Sequence, residues 1–165
     1  MELRKWSYDY IGELTKFANN KNIADNLRNI FPHPYTEENA RQFIEFCLNT
    51  SEDEQINRAI LYDNMIVGSI SLTLGEDVYA KSAEIGYWLS EEYWGRGIVS
   101  ETVKEICKIG FEVHGLARIY GNVFSYNKSS CKVLEKCGFE LEGILRKSIF
   151  KNDEFFDSYM YSLIN

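Results

Sequence analysis

Two glycines one residue apart, followed by a helical pattern, have the clearest chemical potential in this sequence. They lie in the stretch from Tyr93 to Glu101 (YWGRGIVSE), between a predicted strand and a predicted helix. The first backbone N–H groups of a helix lack partners within the helix and carry partial positive charge. Because glycine has no Cβ, Gly95 and Gly97 let a bulky anion approach those N–H groups. We therefore predict that this segment binds a pyrophosphate.

Several kinds of loop compete for this segment. A P-loop requires G-x-x-x-x-G-K-[ST], and no Lys-Ser or Lys-Thr pair follows here. The segment Gly95–Ser100 approaches the dinucleotide fingerprint G-x-G-x-x-G, but that fingerprint belongs on the first strand of a βαβ unit. Here the segment lies past the middle of the chain, and no acidic residue ends the next strand. A coenzyme A loop and a purely structural turn remain as alternatives.

The remaining patterns predict the elements that position this loop. Strands are predicted at residues 2–8, 58–62, 65–72, 83–89, 118–124, 139–149 and 155–164, and helices at 9–19, after Thr36, after Gly97 and from Asn127 to Gly138. Asp63-Asn64 is a two-residue hairpin signal between two of the strands. The order βααβββαβαββ predicts one domain over residues 1–165, an α+β fold with a mixed sheet and helices on its faces.

Composition restricts the partners and the compartment. A net charge of −7 argues against a nucleic-acid partner, because phosphate neutralisation needs Lys and Arg, whereas it suits a cationic substrate. The 4 cysteines lack C-x-x-C spacing and only 2 histidines are present, which predicts neither a metal site nor a disulfide scaffold. Free thiols predict a reducing, cytoplasmic location. The N-terminus lacks the apolar core of a signal peptide, and no apolar run is long enough to span a membrane, so we expect no membrane partner.

Three blocks of sequence, in the right order, resemble the GNAT N-acetyltransferases. The blocks are PHPYTEENARQFI at 32–44, AEIGYWLSEEYWGRGIVSE at 83–101 and NKSSCKVLEKCGFELEG at 127–143. They look most like the ribosomal-protein N-terminal acetyltransferases, the RimJ/RimL-like branch. The resemblance implies the GNAT fold, in which a mostly antiparallel sheet splays into a V, helices cover both faces and acetyl-CoA lies in the split.

The resemblance also implies a set of cofactor-binding residues. Backbone groups at the end of the fourth strand would bind the pantetheine amides, and the glycine loop would bind the pyrophosphate. The usual loop reads [QR]-x-x-G-x-[GA]; here Trp94 takes the first position, as in the ribosomal-protein branch, and Val99 takes the last. The predicted set is Trp88, Leu89, Trp94, Gly95, Arg96, Gly97, Ile98, Val99, Ser100, Asn122, Asn127, Ser130 and Lys132.

The helix after Asn127 carries two further signals. Asn127 and Ser130 match the N-x-x-S of the ribosomal-protein branch, although Asn127 is equally explained as a helix cap. Lys128, Lys132 and Lys136 recur every four residues and so share one helix face. That basic stripe is either a contact for the 3′-phosphate of coenzyme A or a solvated helix face.

Acetyl transfer requires a neutral amine, a polarised thioester carbonyl and a proton donor for the departing thiolate. Glu84 is the predicted base, because some GNAT enzymes carry a catalytic Glu on this strand; an exposed strand carboxylate is the alternative. Ser130 is the predicted donor to the thiolate, and Tyr126 is the second candidate. No histidine lies near Cys131 or Cys137 in sequence, so we expect direct transfer in a ternary complex and no acetyl-cysteine.

The acceptor stays open. The resemblance implies a primary amine, with the N-terminal α-amine of a protein or peptide, such as a ribosomal protein, as the first candidate. A small amine (a polyamine, an amino acid or an antibiotic) is the second, and a non-catalytic acetyl-CoA-binding module is the third. The near-fingerprint loop leaves a dehydrogenase as a fourth. Dimers are common in this family, so we also expect a homodimer.

Overall fold

The computed structural model describes all 165 residues, and a seven-stranded sheet forms its centre. The strands are β1 (Glu2–Arg4), β2 (Gln55–Tyr62), β3 (Met65–Leu74), β4 (Ser82–Leu89), β5 (Arg118–Phe124), β6 (Glu140–Lys151) and β7 (Glu154–Ile164). The helices are α1 (Ile11–Ala18), α2 (Lys21–Ala24), α3 (Glu37–Asn49), α4 (Ile98–Glu112) and α5 (Lys128–Lys136). The strand order is β1-β2-β3-β4-β5-β7-β6, and only β4 and β5 pair in parallel. The predicted mixed, mostly antiparallel sheet is confirmed.

The parallel pair at the centre of the sheet separates early. Residues 82–84 of β4 pair with residues 118–120 of β5, and the register goes no further. Beyond that point β4 follows β3 as far as Leu89, while β5 follows β7 as far as Phe124. The sheet therefore opens into a V from Glu84 onward, as the resemblance implies. We call this opening between β4 and β5 the split.

Helices cover both faces of the sheet, so the core lies in two layers. On one face, α4 and α5 bury Ile106 and Leu134 against the sheet. On the other face, α1 and α3 bury Leu14 and Ile44 against β2 and β3. No helix is both long and apolar enough to cross a membrane. The two layers fix the helices that stand on either side of the split.

Local signals in the sequence explain the turns and caps. Asp63 and Asn64 have φ of 51° and 63°, the left-handed conformation that a two-residue hairpin of the predicted kind requires. Thr36 caps α3 through a capping box with Asn39, because each side chain binds the backbone of the other residue. Gly138, just after α5, has φ of 89°. These three predictions are confirmed.

Two predictions at the N-terminus need correction. The first strand ends at Arg4 instead of residue 8, because the Ser7 side chain accepts a hydrogen bond from the Asp9 N–H and starts a 3₁₀ turn. Helix α2 was not predicted, since its 4 residues are too few to show a periodic apolar stripe. Asn20 caps it by accepting from the Asn22 N–H. The connection between α2 and α3 is consequently more structured than the sequence indicates.

Gly68 provides a test of the packing that holds β4 in place. A Cβ on Gly68 would lie 2.4 Å from the carbonyl oxygen of Trp88, a backbone atom that cannot move aside. We expect Gly68→Ala to lower the free energy of unfolding by about 1–3 kcal/mol. Gly12→Ala is the control, because its Cβ meets nothing within 4 Å in a helix, where alanine is favoured by about 0.5–1 kcal/mol. Urea unfolding that shows the two variants equally stable would contradict this packing.

Candidate active site

The glycine loop presents an uninterrupted row of free backbone donors. Gly95 and Gly97 have φ of 76° and 80°, and Gly97 is the N-cap of α4. The first helical hydrogen bond of α4 runs from the Glu101 N–H to the Gly97 carbonyl. None of the N–H groups from Gly95 to Ser100 has an acceptor within the chain. Six successive donors at a helix N-terminus form a cradle for an anion such as a pyrophosphate.

Side chains next to this cradle fix its position. The Trp94 indole Nε1 donates to the Leu89 carbonyl at 2.8 Å, which ties the loop to the end of β4. Arg96 Nη2 donates to the Glu92 carbonyl at 3.0 Å, and its guanidinium lies over the Tyr93 ring. Trp94 and Arg96 therefore stabilise the position of the loop through contacts within the chain. A Cβ at Gly95 or Gly97 would meet nothing within 4 Å, so the space in front of the loop is open.

Alternation along β4 decides which backbone groups reach the split. The Ser90 N–H donates to the Val67 carbonyl at 2.8 Å, and residues opposite each other in an antiparallel pair alternate in their bonding. Trp88 therefore turns its backbone toward Ser69 of β3, whereas Tyr87 and Leu89 turn theirs toward the split. The Leu89 carbonyl is bound to Trp94, which leaves the Leu89 N–H. Of the two predicted residues, Leu89 is the one whose backbone can bind a ligand in the split.

The first turn of α5 closes the same side of the split. Asn127 Oδ1 accepts from the Ser130 N–H at 3.1 Å, so Asn127 is the helix cap that the sequence predicts. Ser130 Oγ lies 2.7 Å from the Tyr87 hydroxyl of β4. Lys132 is exposed and makes no hydrogen bond or ion pair within the chain, whereas Lys128 lies over the Tyr159 ring. The structure brings Ser130 into contact with β4 but leaves Lys132 on the surface.

Glu84 lies where the parallel pairing ends, and its carboxylate makes two contacts. Arg28 Nη2 donates to Oε2 at 2.8 Å, and Asn122 Nδ2 of β5 donates to Oε1 at 3.2 Å. The Glu84 side chain is 24% exposed and that of Arg28 is 72% exposed, so the pair is open to solvent on the Arg28 side. Burial raises the pKa of Tyr120, and the negative charge of Glu84 adds to this effect. The site thus contains one anchored carboxylate.

Glu84 and Ser130 face opposite sides of the sheet. Side chains alternate along β4, so Glu84 points to the face of α1 and α3, and Tyr87, which contacts Ser130, points to the face of α5. Trp88, on the same face as Glu84, contacts Phe31 at 5.9 Å between ring centroids. A group in the split would have the carboxylate on one side and the Ser130 hydroxyl on the other.

The segment 25–31, which we call the strap, crosses the Glu84 face of the split. Tyr126 donates from its hydroxyl to the Asp25 carbonyl at 2.6 Å. Lys151 Nζ donates to the Leu27 carbonyl at 2.6 Å, and burial lowers the pKa of this lysine. Arg28 reaches Glu84 from the same segment. The hydroxyl of Tyr126, predicted as a second proton donor, is therefore bound to the strap.

Sequence reasoning missed Arg28 and Tyr87, which contact the predicted site residues Glu84 and Ser130. Arg28 lies in irregular chain 56 residues before its partner, where no periodic pattern exists. Tyr87 was within the strand motif AEIGYWL, and its alternation with Glu84 could have shown that it faces the opposite side. The four cysteines are free, and burial raises the pKa of Cys107 to about 12, which makes it a poor nucleophile.

Comparisons with known proteins agree with this geometry. The family described as the acetyltransferase (GNAT) domain matches residues 1–140. The probable N-acetyltransferase YjcK of Bacillus subtilis is 33% identical over 134 residues, which is 79% of this chain and 74% of that protein. The ribosomal-protein-serine acetyltransferase of Escherichia coli is 33% identical over 105 residues, 64% of this chain and 58% of that protein. Across the curated relatives the match spans from 23% of one Aspergillus fumigatus protein to 78% of one Bacillus subtilis protein, and it spans 48% of another Bacillus subtilis protein.

A solved structure gives the same result for the fold and the cofactor. The microcin C7 self-immunity acetyltransferase MccE, solved with acetyl-CoA and AMP, superposes with a TM-score of 0.88 at 25% identity. The superposition covers 99% of this chain and 91% of that one. The chain therefore shares its overall fold with an acetyltransferase that was solved with acetyl-CoA.

The cradle can be tested at Gly97 with a control of equal strain. Gly97→Ala should weaken acetyl-CoA binding by about tenfold or more, because a Cβ at positive φ costs roughly 1–2 kcal/mol and would enter the space where the phosphates approach. Gly115→Ala is the control: its φ of 62° gives similar strain far from the loop. Calorimetry should show a change only for Gly97→Ala. Equal affinities in the two variants would rule out this loop as the phosphate site.

Proposed function

Because the chain belongs to the GNAT acetyltransferase family, it is an N-acetyltransferase with acetyl-CoA as donor, and we propose that its acceptor is the N-terminal α-amine of a protein or peptide. The observation that carries the proposal is the split itself, which opens from the Glu84 carboxylate and is flanked by the six free loop donors. We place the pyrophosphate on the loop, the pantetheine arm along β4 and the acceptor on the strap side.

The proposed reaction is direct transfer in a ternary complex. The Leu89 N–H donates toward the split, where it can polarise the thioester carbonyl. The amine nitrogen attacks the carbonyl carbon, its proton passes to Glu84 directly or through one water, and the C–S electron pair leaves with sulfur. Ser130, on the other face, donates a hydrogen bond to the departing thiolate. Free cysteines with raised pKa, such as Cys107, argue against a covalent acetyl-enzyme.

The cost of deprotonation at neutral pH favours an α-amine over a lysine side chain. The base that we propose is Glu84, whose carboxylate already accepts hydrogen bonds from Arg28 and Asn122. Deprotonating an α-amine at pH 7 costs about 1 kcal/mol, whereas a lysine with pKa of about 10.4 costs about 4.6 kcal/mol. The smaller cost supports an α-amine as the acceptor.

The proposal also covers the acceptor protein, the cellular location and the oligomeric state. Similarity to the ribosomal-protein-serine acetyltransferase of Escherichia coli supports a ribosomal protein as acceptor and a RimJ/RimL-like enzyme. Four free cysteines support a cytoplasmic location. The outermost strand, β6, exposes Leu141, Ile144, Leu145 and Phe150, which supports a homodimer. A monomer in sedimentation equilibrium would contradict the dimer.

A panel of acceptors tests the function. Acetyl-CoA is incubated with peptides that carry a free N-terminus, with the same peptides blocked at the N-terminus but containing lysine, and with small amines such as spermidine. We expect acetylation, read by mass, of the free N-terminal peptides only. Acetylation confined to small amines would replace the proposed acceptor, and the absence of thiol release with every acceptor would leave a non-catalytic acetyl-CoA-binding protein.

Glu84→Gln tests the base. The amide keeps the shape and removes the proton acceptor, so we expect kcat/KM for the best peptide to fall by about 10²–10⁴-fold at pH 7. The loss should shrink toward pH 9, because the α-amine, with a pKa of about 7.7–8.0, then arrives neutral. Glu140→Gln, an exposed carboxylate on β6 without contacts, is the control. A loss of the same size at both pH values would assign Glu84 a purely structural role.

A further inference from the structure

The hydrogen bond between Tyr87 and Ser130 crosses the split. Tyr87 belongs to β4 and lies three residues beyond Glu84, where pairing with β5 has ended. Ser130 belongs to the first turn of α5, which follows β5 in the chain. Their hydroxyl oxygens lie 2.7 Å apart, and either can be the donor. This contact joins the two arms of the V beyond the point where β4 and β5 stop pairing.

The two hydroxyls are unequal in their surroundings. Burial raises the pKa of Tyr87, so its phenol is protonated at neutral pH and has a proton to donate. Ser130 Oγ is the nearest acceptor, since the Ser130 carbonyl is 3.5 Å away. The Ser130 N–H is bound to Asn127, which fixes the backbone beneath the hydroxyl. When Tyr87 donates to Ser130 Oγ, the single proton of Ser130 is free to point away from Tyr87.

We propose that Tyr87 is a positioning residue, which donates a hydrogen bond to Ser130 Oγ and thereby directs the Ser130 proton toward the sulfur of the departing thiolate. The inference rests on the proposed role of Ser130. Both hydroxyl protons stay on their oxygens: the amine proton goes to Glu84, the C–S electron pair goes to sulfur, and the thiolate is stabilised by the hydrogen bond. The thiolate, with a pKa near 8.5, takes its proton from solvent after release.

A bond that only fixed the two arms of the V would behave differently. Loss of the Tyr87 hydroxyl would then widen the split, weaken acetyl-CoA binding and act whether or not Ser130 had a hydroxyl. A positioning role instead predicts an effect on the chemical step that requires Ser130. The two roles are separable because Tyr87→Phe removes only one oxygen and leaves the ring packed.

The test is a double-mutant cycle measured by single-turnover kinetics on the intact protein. Tyr87→Phe should slow the chemical step by about fivefold, because a hydrogen bond of roughly 1 kcal/mol is lost. The KM for acetyl-CoA should stay within twofold of the wild type. In the Ser130→Ala background, Tyr87→Phe should have no further effect. Ser130→Thr, which keeps a hydroxyl, should retain the dependence on Tyr87.

Control measurements make each outcome decisive. Tyr62→Phe, which removes a hydroxyl without a hydrogen bond in the chain, should match the wild type. Equal losses from Tyr87→Phe with and without the Ser130 hydroxyl, or a loss confined to the KM for acetyl-CoA, would overturn the inference. A wild-type rate for Tyr87→Phe would also overturn it. If the wild type itself transfers acetyl to no amine, the proposed function fails, which is a result distinct from these.

Discussion

The structure depends on the point at which β4 and β5 stop pairing. Each strand is held along its other edge, β4 by β3 and β5 by β7, so the twist that separates them leaves a gap without unfolding either one. The gap leaves backbone donors of β4 without a partner strand, so they can bind a ligand in the split. A ligand with amide groups, such as the pantetheine arm, can supply that partner. The unpaired edge of β4 therefore lacks hydrogen bonds to a partner strand, and the same edge provides the donors that can bind the pantetheine arm.

Backbone geometry also explains why the loop departs from the usual GNAT pattern without losing its donors. The pattern places Gly or Ala last, where this chain has Val99. Within the loop, positive φ is found only at Gly95 and Gly97, and Val99 lies within the first turn of α4, where a Cβ causes no strain. The first position is Trp94, and its indole anchors the loop to the Leu89 carbonyl. The two glycines alone carry the conformational requirement.

Local signals in the sequence were enough for most of the helices and strands and for the position of the glycine loop. The hairpin at Asp63-Asn64, the caps at Thr36 and Asn127, and the glycine loop each depend on residues within a few positions of one another. The side-chain partnerships of the site do not. Arg28 with Glu84 and Tyr87 with Ser130 join residues 56 and 43 positions apart, and only the assembled sheet brings them together. The sequence therefore predicted residues on the elements that flank the split, and the structure was needed to find the contacts across it.

The strap gives the acceptor side a charge balance that bears on which acceptors can enter. In a chain of net charge −7, Arg28 already neutralises the one carboxylate at the base of the split. An ammonium group that approaches Glu84 therefore replaces the Arg28 guanidinium as the cation beside the carboxylate. The exchange costs little free energy, because an exposed guanidinium is well solvated when it is displaced into water. In the proposed reaction, Arg28 can return to the carboxylate once Glu84 has passed the amine proton on to solvent. Attraction of the charged amine and release of the neutral amide product then follow from the same ion pair.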